Sequence, residues 1–216
     1  MKRTAIILGA TGLVGSNLIK RLIDNQYFSD IVSITRRPVN YEASNVTNHV
    51  VDFEQLAEFD FAFQGNTLFS CLGTTIKEAG SIAAQRKVDV DYQLEAATIA
   101  LEQGVDDYFL ISSSGANAKS LSPYLSMKGE LEDAVIRLPF NSITILQPSL
   151  LLGERAKSRV AEGLGAKMLP MLCRLPGLRR FKPIQGWQVA QKMCELSSLK
   201  KSGLTRLRLE AVFPNS

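Results

Sequence analysis

The chain has 216 residues, of which 45% are hydrophobic and 21% are charged, a balance typical of one globular domain with a large buried core. Its formal net charge is +4, and the basic residues are spread along the chain. This modest charge does not indicate a nucleic-acid partner, and a polyanionic small molecule accounts for it equally well. No apolar run approaches the roughly 20 residues that cross a bilayer, so no transmembrane segment is expected.

The cysteines and the amino terminus bear on metal sites and location. Cys71, Cys173 and Cys194 show no metal-ligand spacing, so no metal is expected, and their odd number favours free thiols in a reducing compartment. Lys2 and Arg3 precede an apolar run in the manner of a signal peptide, but no small-residue cleavage site follows. The sequence therefore predicts a cytoplasmic protein. A single histidine gives histidine-based catalytic triads little support.

A glycine-rich stretch near the amino terminus organises the rest of the chain. It follows the apolar run 5–8 and precedes an apolar-periodic segment, the pattern of a strand, a tight turn and a helix. In a dinucleotide site the first glycine permits the turn, the second lets the backbone approach a pyrophosphate, and the last lets the helix pack against the strand. The phosphates then bind the free N–H groups of the helix amino terminus. The predicted pyrophosphate-binding residues are Gly9, Ala10, Thr11, Gly12, Leu13, Val14 and Gly15.

Two arginines follow the second predicted strand, residues 31–35. An NAD site usually carries an acidic residue here for the ribose 2′-OH, whereas arginine accommodates a 2′-phosphate. The guanidinium forks of Arg36 and Arg37 match phosphate geometry, so NADP(H) is expected in preference to NAD(H), the alternative being an ordinary solvated loop. Asp52, after a third strand over residues 46–51, can reach an adenine amino group or cap the following turn. The residues leave both interpretations open.

The alternation of strands and helices continues along the chain. Strands are predicted at residues 66–73, 108–111, 141–147 and 204–209, and helices at 81–103, from 123 to before the proline at 139, and at 188–199. Six or seven strands separated by helices predict an α/β fold with a doubly wound parallel sheet. The fourth strand ends in small residues, so the backbone at Cys71, Leu72, Gly73 and Thr74 is expected to pass close to the cofactor ribose.

The chain is predicted to be a single dinucleotide-binding domain over residues 1–216. Residues 1–153 are the expected cofactor-binding core, and residues 154–216 a short substrate-side segment. The alternation loosens past Gly153, and residues 156–182 are basic and apolar without a motif. We interpret them first as a substrate lid, with a dimer contact or a membrane-surface patch as alternatives.

Tyr124 and Lys128 are the candidate catalytic pair. Residues four apart on a helix share a face, and an ammonium beside a phenol stabilises the phenolate for acid and base work. Serines end the fifth strand, where open parallel sheets bind ligands, so Ser113 or Ser114 can hold a carbonyl or alcohol oxygen against that phenol. The tyrosine and lysine alone are most often an exposed helix face. Their position after a serine-bearing strand and a dinucleotide turn favours catalysis.

These segments together resemble the short-chain dehydrogenase/reductase superfamily, in the atypical branch that includes the Tat-interacting oxidoreductase-like proteins. The resembling stretches appear in the family's order and cover most of residues 4–155. They are residues 9–15, 69–75, 88–92, 112–116, 124–130 and 147–155. The stretches most specific to this branch are Cys71-Leu72-Gly73-Thr74-Thr75 and Gly153-Glu154-Arg155.

The resemblance implies a Rossmann fold and an NAD(P)-dependent oxidoreductase. It implies that Tyr124 transfers the proton while Lys128 holds the nicotinamide ribose and tunes Tyr124. It further implies that the glycine turn binds the pyrophosphate, Arg36 and Arg37 the adenosine phosphate, Leu72 and Gly73 the ribose, and that Pro148 and Ser149 lie beside the nicotinamide.

Three positions differ from the family's common pattern. Asp89 stands where many members carry an asparagine, which predicts an absent or altered proton relay. Gln147 precedes the proline after the sixth strand, where this branch often has arginine. The triple serine 112–114 leaves the position of the catalytic hydroxyl open by one residue, and we favour Ser113.

The leading functional hypothesis is an NADPH-dependent reductase or dehydrogenase acting on a carbonyl or alcohol. The alternative is a regulatory protein that binds NADP(H) as a sensor, turns over little, and contacts a protein partner or a second copy. Nucleotide-sugar epimerisation is less favoured, because only about 60 residues follow Gly153 and those enzymes usually have a larger carboxy-terminal lobe.

Overall fold

A computed structural model describes residues 3–153, 182–199 and 202–214. Its centre is a seven-stranded sheet in which every neighbouring pair is parallel, with the order β3-β2-β1-β4-β5-β6-β9. Two further strands, β7 and β8, form a separate parallel pair. The strands are β1 Thr4–Leu8, β2 Asp30–Thr35, β3 Val46–Val50, β4 Thr67–Ser70, β5 Asp107–Ile111, β6 Ser142–Gln147, β7 Leu151–Leu152, β8 Ile184–Gln185 and β9 Gly203–Arg208. The predicted doubly wound parallel sheet is confirmed.

Helices follow most strands, as the sequence predicts. They are α1 Gly15–Leu22, α2 Ile76–Ala79, α3 Ile82–Arg86, α4 Tyr92–Glu102, α5 Pro123–Val135 and α6 Gly186–Ser197, with 3-10 segments at Phe53–Phe63 and Leu209–Val212. The single helix expected over residues 81–103 is instead α3 and α4 joined by a wider π turn, Lys87–Asp91. Such turns are frequent at functional sites. The 3-10 segment at Phe53–Phe63 was not predicted.

The sheet buries both faces, which is why its strands are nearly continuous apolar runs. Side chains alternate along β1, so Ile6 and Leu8 join the core beneath α4 and α5. Ala5 and Ile7 point the other way and join the core beneath α1 and α6. All four are fully buried. The two layers of helices are therefore attached to opposite faces of one rigid sheet.

The strand order reverses direction between β1 and β4, which are neighbours in the sheet although β2 and β3 come between them in sequence. Open α/β sheets bind ligands at such a switch point, outside the carboxyl ends of the strands. In this chain the loops after β1, β4, β5 and β6 all emerge at that edge. These loops carry most of the predicted site residues.

Candidate functional site

The glycine-rich stretch forms a tight turn directly after β1. The Gly12 N–H donates to the Gly9 carbonyl oxygen at 2.9 Å, and Gly9 has a φ of +81°, a conformation that favours glycine. Helix α1 begins at Gly15, and Val14 at its N-cap makes no side-chain hydrogen bond. No side-chain cap therefore competes with an anion at the positive end of the helix, although the Ser16 N–H already donates to the Gly12 carbonyl at 3.0 Å.

Two of the glycines are required by close packing of backbone on backbone. A Cβ atom at Gly9 would lie 2.7 Å from the Cys71 carbonyl and from the Leu72 nitrogen. At Gly15 it would lie 2.3 Å from the Gly9 oxygen. A Cβ at Gly12 would meet only the Gly9 oxygen at 3.1 Å and the Cys71 oxygen at 3.7 Å. Packing within the protein thus requires glycine at positions 9 and 15, whereas a Cβ at Gly12 would make a tight contact that needs only a small shift of the Gly9 carbonyl.

The other residues of the turn have distinct environments. Ala10 and Val14 are buried in the core beneath α1, and Thr11 is exposed. Leu13 packs against the carboxy-terminal part of the fold, because a Cβ at Gly153 or Gly186 would lie 2.1 Å or 2.6 Å from its side chain. The Leu13 side chain is therefore used in packing, and its backbone is what remains for a cofactor.

The most enclosed charged pair of the site joins α5 to the π turn. Lys128 Nζ lies 3.2 Å from Asp89 Oδ1, with side-chain exposures of 5% and 0%. Asp89 also accepts from the Thr74 N–H at 3.2 Å and from Gln85 Nε2 at 3.0 Å. A Cβ at Gly73 would lie 3.3 Å from Asp89 Oδ1 and 3.9 Å from Lys128 Nζ. The loop after β4 thus runs directly over this pair.

Tyr124 and the serines line the same edge of the sheet. Tyr124 is 37% exposed and lies one helical turn before Lys128 in α5, with Pro123 at the first helical position as predicted. Ser112 is buried and its hydroxyl donates to Glu132 Oε1, so this hydroxyl is already engaged. Ser113 and Ser114 are half-buried. Of the three serines, these two keep hydroxyls near the surface of the site.

The loops after β5 and β6 are tied together behind these serines. The Ser114 N–H donates to the Pro148 carbonyl at 2.9 Å, and the next residue, Ser149, donates its hydroxyl to the Lys182 carbonyl. Pro148 is buried and Ser149 half-buried. Of the two positions predicted beside the nicotinamide, Pro148 is therefore held against the serine loop by a backbone hydrogen bond, and Ser149 is tied by its side chain to Lys182.

Gln147 belongs to a buried polar network around Glu132. Its Nε2 donates to both oxygens of Glu132, at 2.7 Å and 3.0 Å, and its Oε1 accepts from Arg208 Nε at 2.8 Å. Arg206 Nε lies 3.4 Å from Glu132 Oε2. The branch's usual arginine is thus replaced by a glutamine that reaches arginines supplied by β9. The buried carboxylate keeps its partners.

The arginines after β2 are exposed, and Thr35 Oγ1 donates to the Arg37 carbonyl at 2.8 Å. Beside them, Asp52 Oδ1 accepts from the Glu54 N–H at 2.9 Å and caps the 3-10 segment. Capping was one of the two roles open for Asp52, and the structure shows it. Contact with an adenine amino group stays a prediction.

Sequence reasoning missed the cluster around Glu54. Lys87 Nζ lies 2.8 Å from both Glu54 carboxylate oxygens, and the Tyr92 hydroxyl donates to Glu54 Oε1. These hydrogen bonds, first that of Lys87 and then that of Tyr92, lower the pKa of Glu54. Burial, followed by the bond to Glu54, raises the pKa of Tyr92 to about 12. No local motif predicts this cluster, because its residues come from elements that are separate in the sequence.

Cys71 lies beside the glycine turn and packs against the core beneath α1. The backbone N–H of Cys71 donates to the Leu8 carbonyl at 2.9 Å, and burial raises the pKa of its thiol. Cys71 and Cys194 are free, and Cys173 lies outside the described residues. Within residues 3–153, 182–199 and 202–214, no group of three or more histidine, cysteine or acidic side chains is arranged to hold a metal.

The structure brings together the glycine turn, the end of β4, the serine loop, the loop after β6 and the Tyr124–Lys128 face of α5. The arginines at 36 and 37 lie farther along the same edge, after β2. Glu154, Arg155 and nearly all of the predicted lid at 156–182 lie outside the described residues, so those interpretations stay predictions. The division of the domain at residue 153 does too.

Known structures share this fold. MoeE5, in complex with UDP-glucuronic acid and NAD, superposes with a TM-score of 0.73 at 15% identity, over 96% of this chain and 76% of that one. In sequence, the chain is 40% identical to Protein HTATIP2 of Rattus norvegicus over 174 residues, 79% of this chain and 72% of that protein. It is 36% identical to Protein FMP52, mitochondrial, of Candida glabrata over 196 residues, 87% of this chain and 80% of that protein.

The expectation of a cytoplasmic protein is wrong. It is overturned by the FMP52 relatives of Candida glabrata, Debaryomyces hansenii and Saccharomyces cerevisiae, all of which are named as mitochondrial. The expectation depended on free cysteines and the lack of a cleavage site, and neither feature separates one reducing compartment from another. The helices in the described parts of the chain are all too short or too polar to cross a membrane.

The resemblance to the Tat-interacting branch is confirmed by the similarity to HTATIP2. Residues 5–169 match the NAD dependent epimerase/dehydratase family, and they include the glycine turn, both ends of the Lys128–Asp89 pair and the serine loop. The chain is therefore a member of the NAD dependent epimerase/dehydratase family.

Proposed function

We propose that this protein is an NADP(H)-dependent reductase or dehydrogenase of the short-chain type that acts on a carbonyl or alcohol. One observation carries the proposal: three segments distant in sequence converge at the switch point. Gly9 packs on the backbone of Cys71 and Leu72, and the adjoining Gly73 covers the Lys128–Asp89 pair. A dinucleotide turn and a tyrosine–lysine helix are thereby joined by one short loop.

The residues present fit a dinucleotide. Gly12 carries no side chain that would keep a pyrophosphate from the backbone of the turn, and α1 has no side-chain cap at its amino terminus. Arg36 and Arg37 are exposed at the carboxyl end of β2, where a 2′-phosphate would be met. A bound nicotinamide would supply or accept the hydride. The two arginines support NADP(H) over NAD(H).

The chain's own residues would hold the substrate and move the proton. Tyr124 is exposed enough to reach a substrate oxygen, and one turn away Lys128 provides a buried ammonium whose position is set by Asp89. The Ser113 hydroxyl would bind that same oxygen and orient it toward the phenol. Ser114 is the alternative donor, and the engaged Ser112 is not.

The proposal also covers location, since the mitochondrial names of the FMP52 relatives support a mitochondrial site of action. The regulatory alternative, in which the protein binds NADP(H) and contacts a partner, predicts tight coenzyme binding without turnover. Measurements of coenzyme binding and of turnover on the same purified protein distinguish the two hypotheses.

The test is to measure the oxidation of NADPH by its absorbance while a panel of aldehydes and ketones is offered as substrates. On any compound that is reduced, Tyr124→Phe should lower kcat by about a hundredfold to ten-thousandfold, the usual contribution of a proton-transferring side chain. Its NADPH affinity should stay within about twofold, since only the phenolic oxygen is lost. The matched control is Tyr27→Phe, which makes the same change three residues before β2, where the Tyr27 ring contacts Arg3.

Full activity in Tyr124→Phe would refute the mechanism. NADPH binding by the unmodified protein with no turnover on the whole panel would favour the regulatory alternative.

A further inference from the structure

The Glu54 cluster stands at the end of the site where the adenosine of a dinucleotide would lie. Lys87 reaches it from the π turn and Tyr92 from the start of α4. Lys87 Nζ is 2.8 Å from each Glu54 oxygen, and the Tyr92 ring packs against Phe53 with 5.5 Å between ring centroids. The carboxylate therefore has a fixed place although it is exposed.

This cluster is adjacent to the arginines that follow β2. The Val51 N–H donates to the Thr35 carbonyl at 2.9 Å, so the chain leaves β2 and β3 side by side, with Arg36 next to Asp52. The Asp52 carboxylate caps the N–H of Glu54. Burial, the hydrogen bond to Glu54 and the charge of Glu54 together raise the pKa of Tyr92, and the nearby Arg36 guanidinium opposes them. Three charged side chains, those of Glu54, Arg36 and Asp52, thus act on one hydroxyl.

We propose that Lys87 is a determinant of coenzyme preference, because it neutralises Glu54 and so prevents that carboxylate from repelling a 2′-phosphate at Arg36. The inference depends on the NADP(H) preference within the proposed function. Arg36 and Lys87 carry two positive charges, and Asp52 and Glu54 carry two negative ones. A phosphate bound at this end would meet a cluster of balanced charge beside the exposed arginines at 36 and 37.

The charge balance of the cluster depends on both Lys87 and Glu54. Without Lys87, the Glu54 carboxylate is uncompensated, competes for the Arg36 guanidinium and repels the phosphate. Without Glu54, Lys87 is free to turn toward the phosphate. Removing both restores the original net charge. NADH carries only a ribose hydroxyl at this position, so the same changes should leave its affinity almost constant.

The size of the effect is limited by solvent. The side chains of Lys87 and Glu54 are 53% and 57% exposed, and exposed charge pairs are weakened by water and salt. We expect Lys87→Gln to lower NADPH affinity by about threefold and by at most about fivefold. Glu54→Gln should raise it by a similar factor, and the double variant should return close to the unmodified value.

The experiment is calorimetry of NADPH and of NADH on the full chain, at low and at high salt. The ratio of the two affinities is the readout, since a merely structural change would weaken both. The matched control is Asp60→Asn, which removes one negative charge from the same 3-10 segment. Asp60 bonds to Gln103 beyond the far end of α4, about 15 Å along that helix from Tyr92.

A lower NADPH-to-NADH ratio in Lys87→Gln, restored in the double variant and unaffected by Asp60→Asn, supports the inference. A ratio that does not change in Lys87→Gln, or an equal loss for both coenzymes, overturns it while leaving the proposed function intact. Equal affinities for the two coenzymes in the unmodified protein would overturn the NADP(H) assignment itself, and this inference with it.

Discussion

The two ends of the candidate site hold their charges in opposite ways. At the catalytic end, Lys128 and Asp89 are 3.2 Å apart with side-chain exposures of 5% and 0%. At the adenosine end, Lys87 and Glu54 are closer, at 2.8 Å, but both are more than half exposed. Distance is therefore a poor guide to strength here. A buried pair cannot lose one partner cheaply, whereas water replaces the partner of an exposed one.

This difference suggests a division of tasks. The catalytic end is part of the fold, so its geometry is rigid and its loss would be felt as instability. We expect the adenosine end, whose charges are exposed, to affect coenzyme affinity more than folding. The glycine turn lies between the two and combines both properties, because packing requires Gly9 and Gly15 strictly and restricts Gly12 less.

The largest effect should come from breaking the buried pair. Asp89→Ala leaves the Lys128 ammonium without its carboxylate, so we expect the free energy of unfolding to fall by about 3 to 5 kcal/mol. Asp89→Asn keeps an oxygen for the Thr74 N–H and should cost less. Urea denaturation, with the slope of the transition compared among variants, measures both.

Glu54→Ala is the matched control, because it removes a carboxylate from the exposed pair and should leave the unfolding midpoint unchanged. If Asp89→Ala were as stable as that control, the buried pair would not differ from the exposed one, and the contrast between the two ends would fail.

A second prediction separates the glycines of the turn. Gly12→Ala places a methyl group where the backbone should meet a pyrophosphate, so affinity for NADPH and NADH should fall together by about a hundredfold, the equivalent of one to two charge-assisted hydrogen bonds. The thermal midpoint should fall by less than in Gly15→Ala, because a Cβ at Gly12 would lie 3.1 Å from the Gly9 oxygen, a tight contact that a small backbone shift relieves. Calorimetry and thermal unfolding report the two effects.

Gly15→Ala serves as the opposite case, since its Cβ would lie 2.3 Å from the Gly9 oxygen and should destabilise the fold itself. Unchanged coenzyme affinity in Gly12→Ala would place the cofactor elsewhere.

The smallest of these effects concerns the arginines. Replacing Arg36 and Arg37 by Ala should lower NADPH affinity by about tenfold, the lower limit of a charge-assisted hydrogen bond, because both side chains are exposed. The NADH affinity and the stability of this double variant should equal those of the unmodified protein. In the unmodified protein, the preference for NADPH should weaken as the salt concentration is raised. Titrations at two ionic strengths test this, and a preference that survives the double replacement would show that other groups bind the phosphate.

Much of the fold was predictable because it depends on local patterns. The strand before the glycine turn and the strand before Arg36 are found within one residue of their predicted ends. The helix predicted from Pro123 begins there and ends at Val135, three residues before its predicted end. The π turn was not predictable, because a continuous apolar pattern over residues 81–103 fits an unbroken helix equally well. Only the packing of Asp89 against α5 shows why the helix widens there.

The site was predictable to a similar extent. Tyr124 and Lys128 stand out by spacing, and the serines by their place after β5. The engagement of Ser112 by Glu132 was not visible, since it depends on α5 lying against β5. The part played by Gln147 was equally hidden, because its partner Arg208 comes from β9, 61 residues later.

The sequence by itself determined the order of strands and helices, the glycine turn and the residue types at the switch point, because propensity, periodicity and turn chemistry act over a few neighbouring residues. Only the tertiary structure decided which charges are buried and which are exposed. Lys128 and Lys87 are both lysines with acidic partners more than 30 residues away, and nothing local distinguishes them. Their different roles follow from where the sheet and helices place them, since burial removes the water that would otherwise replace a lost partner.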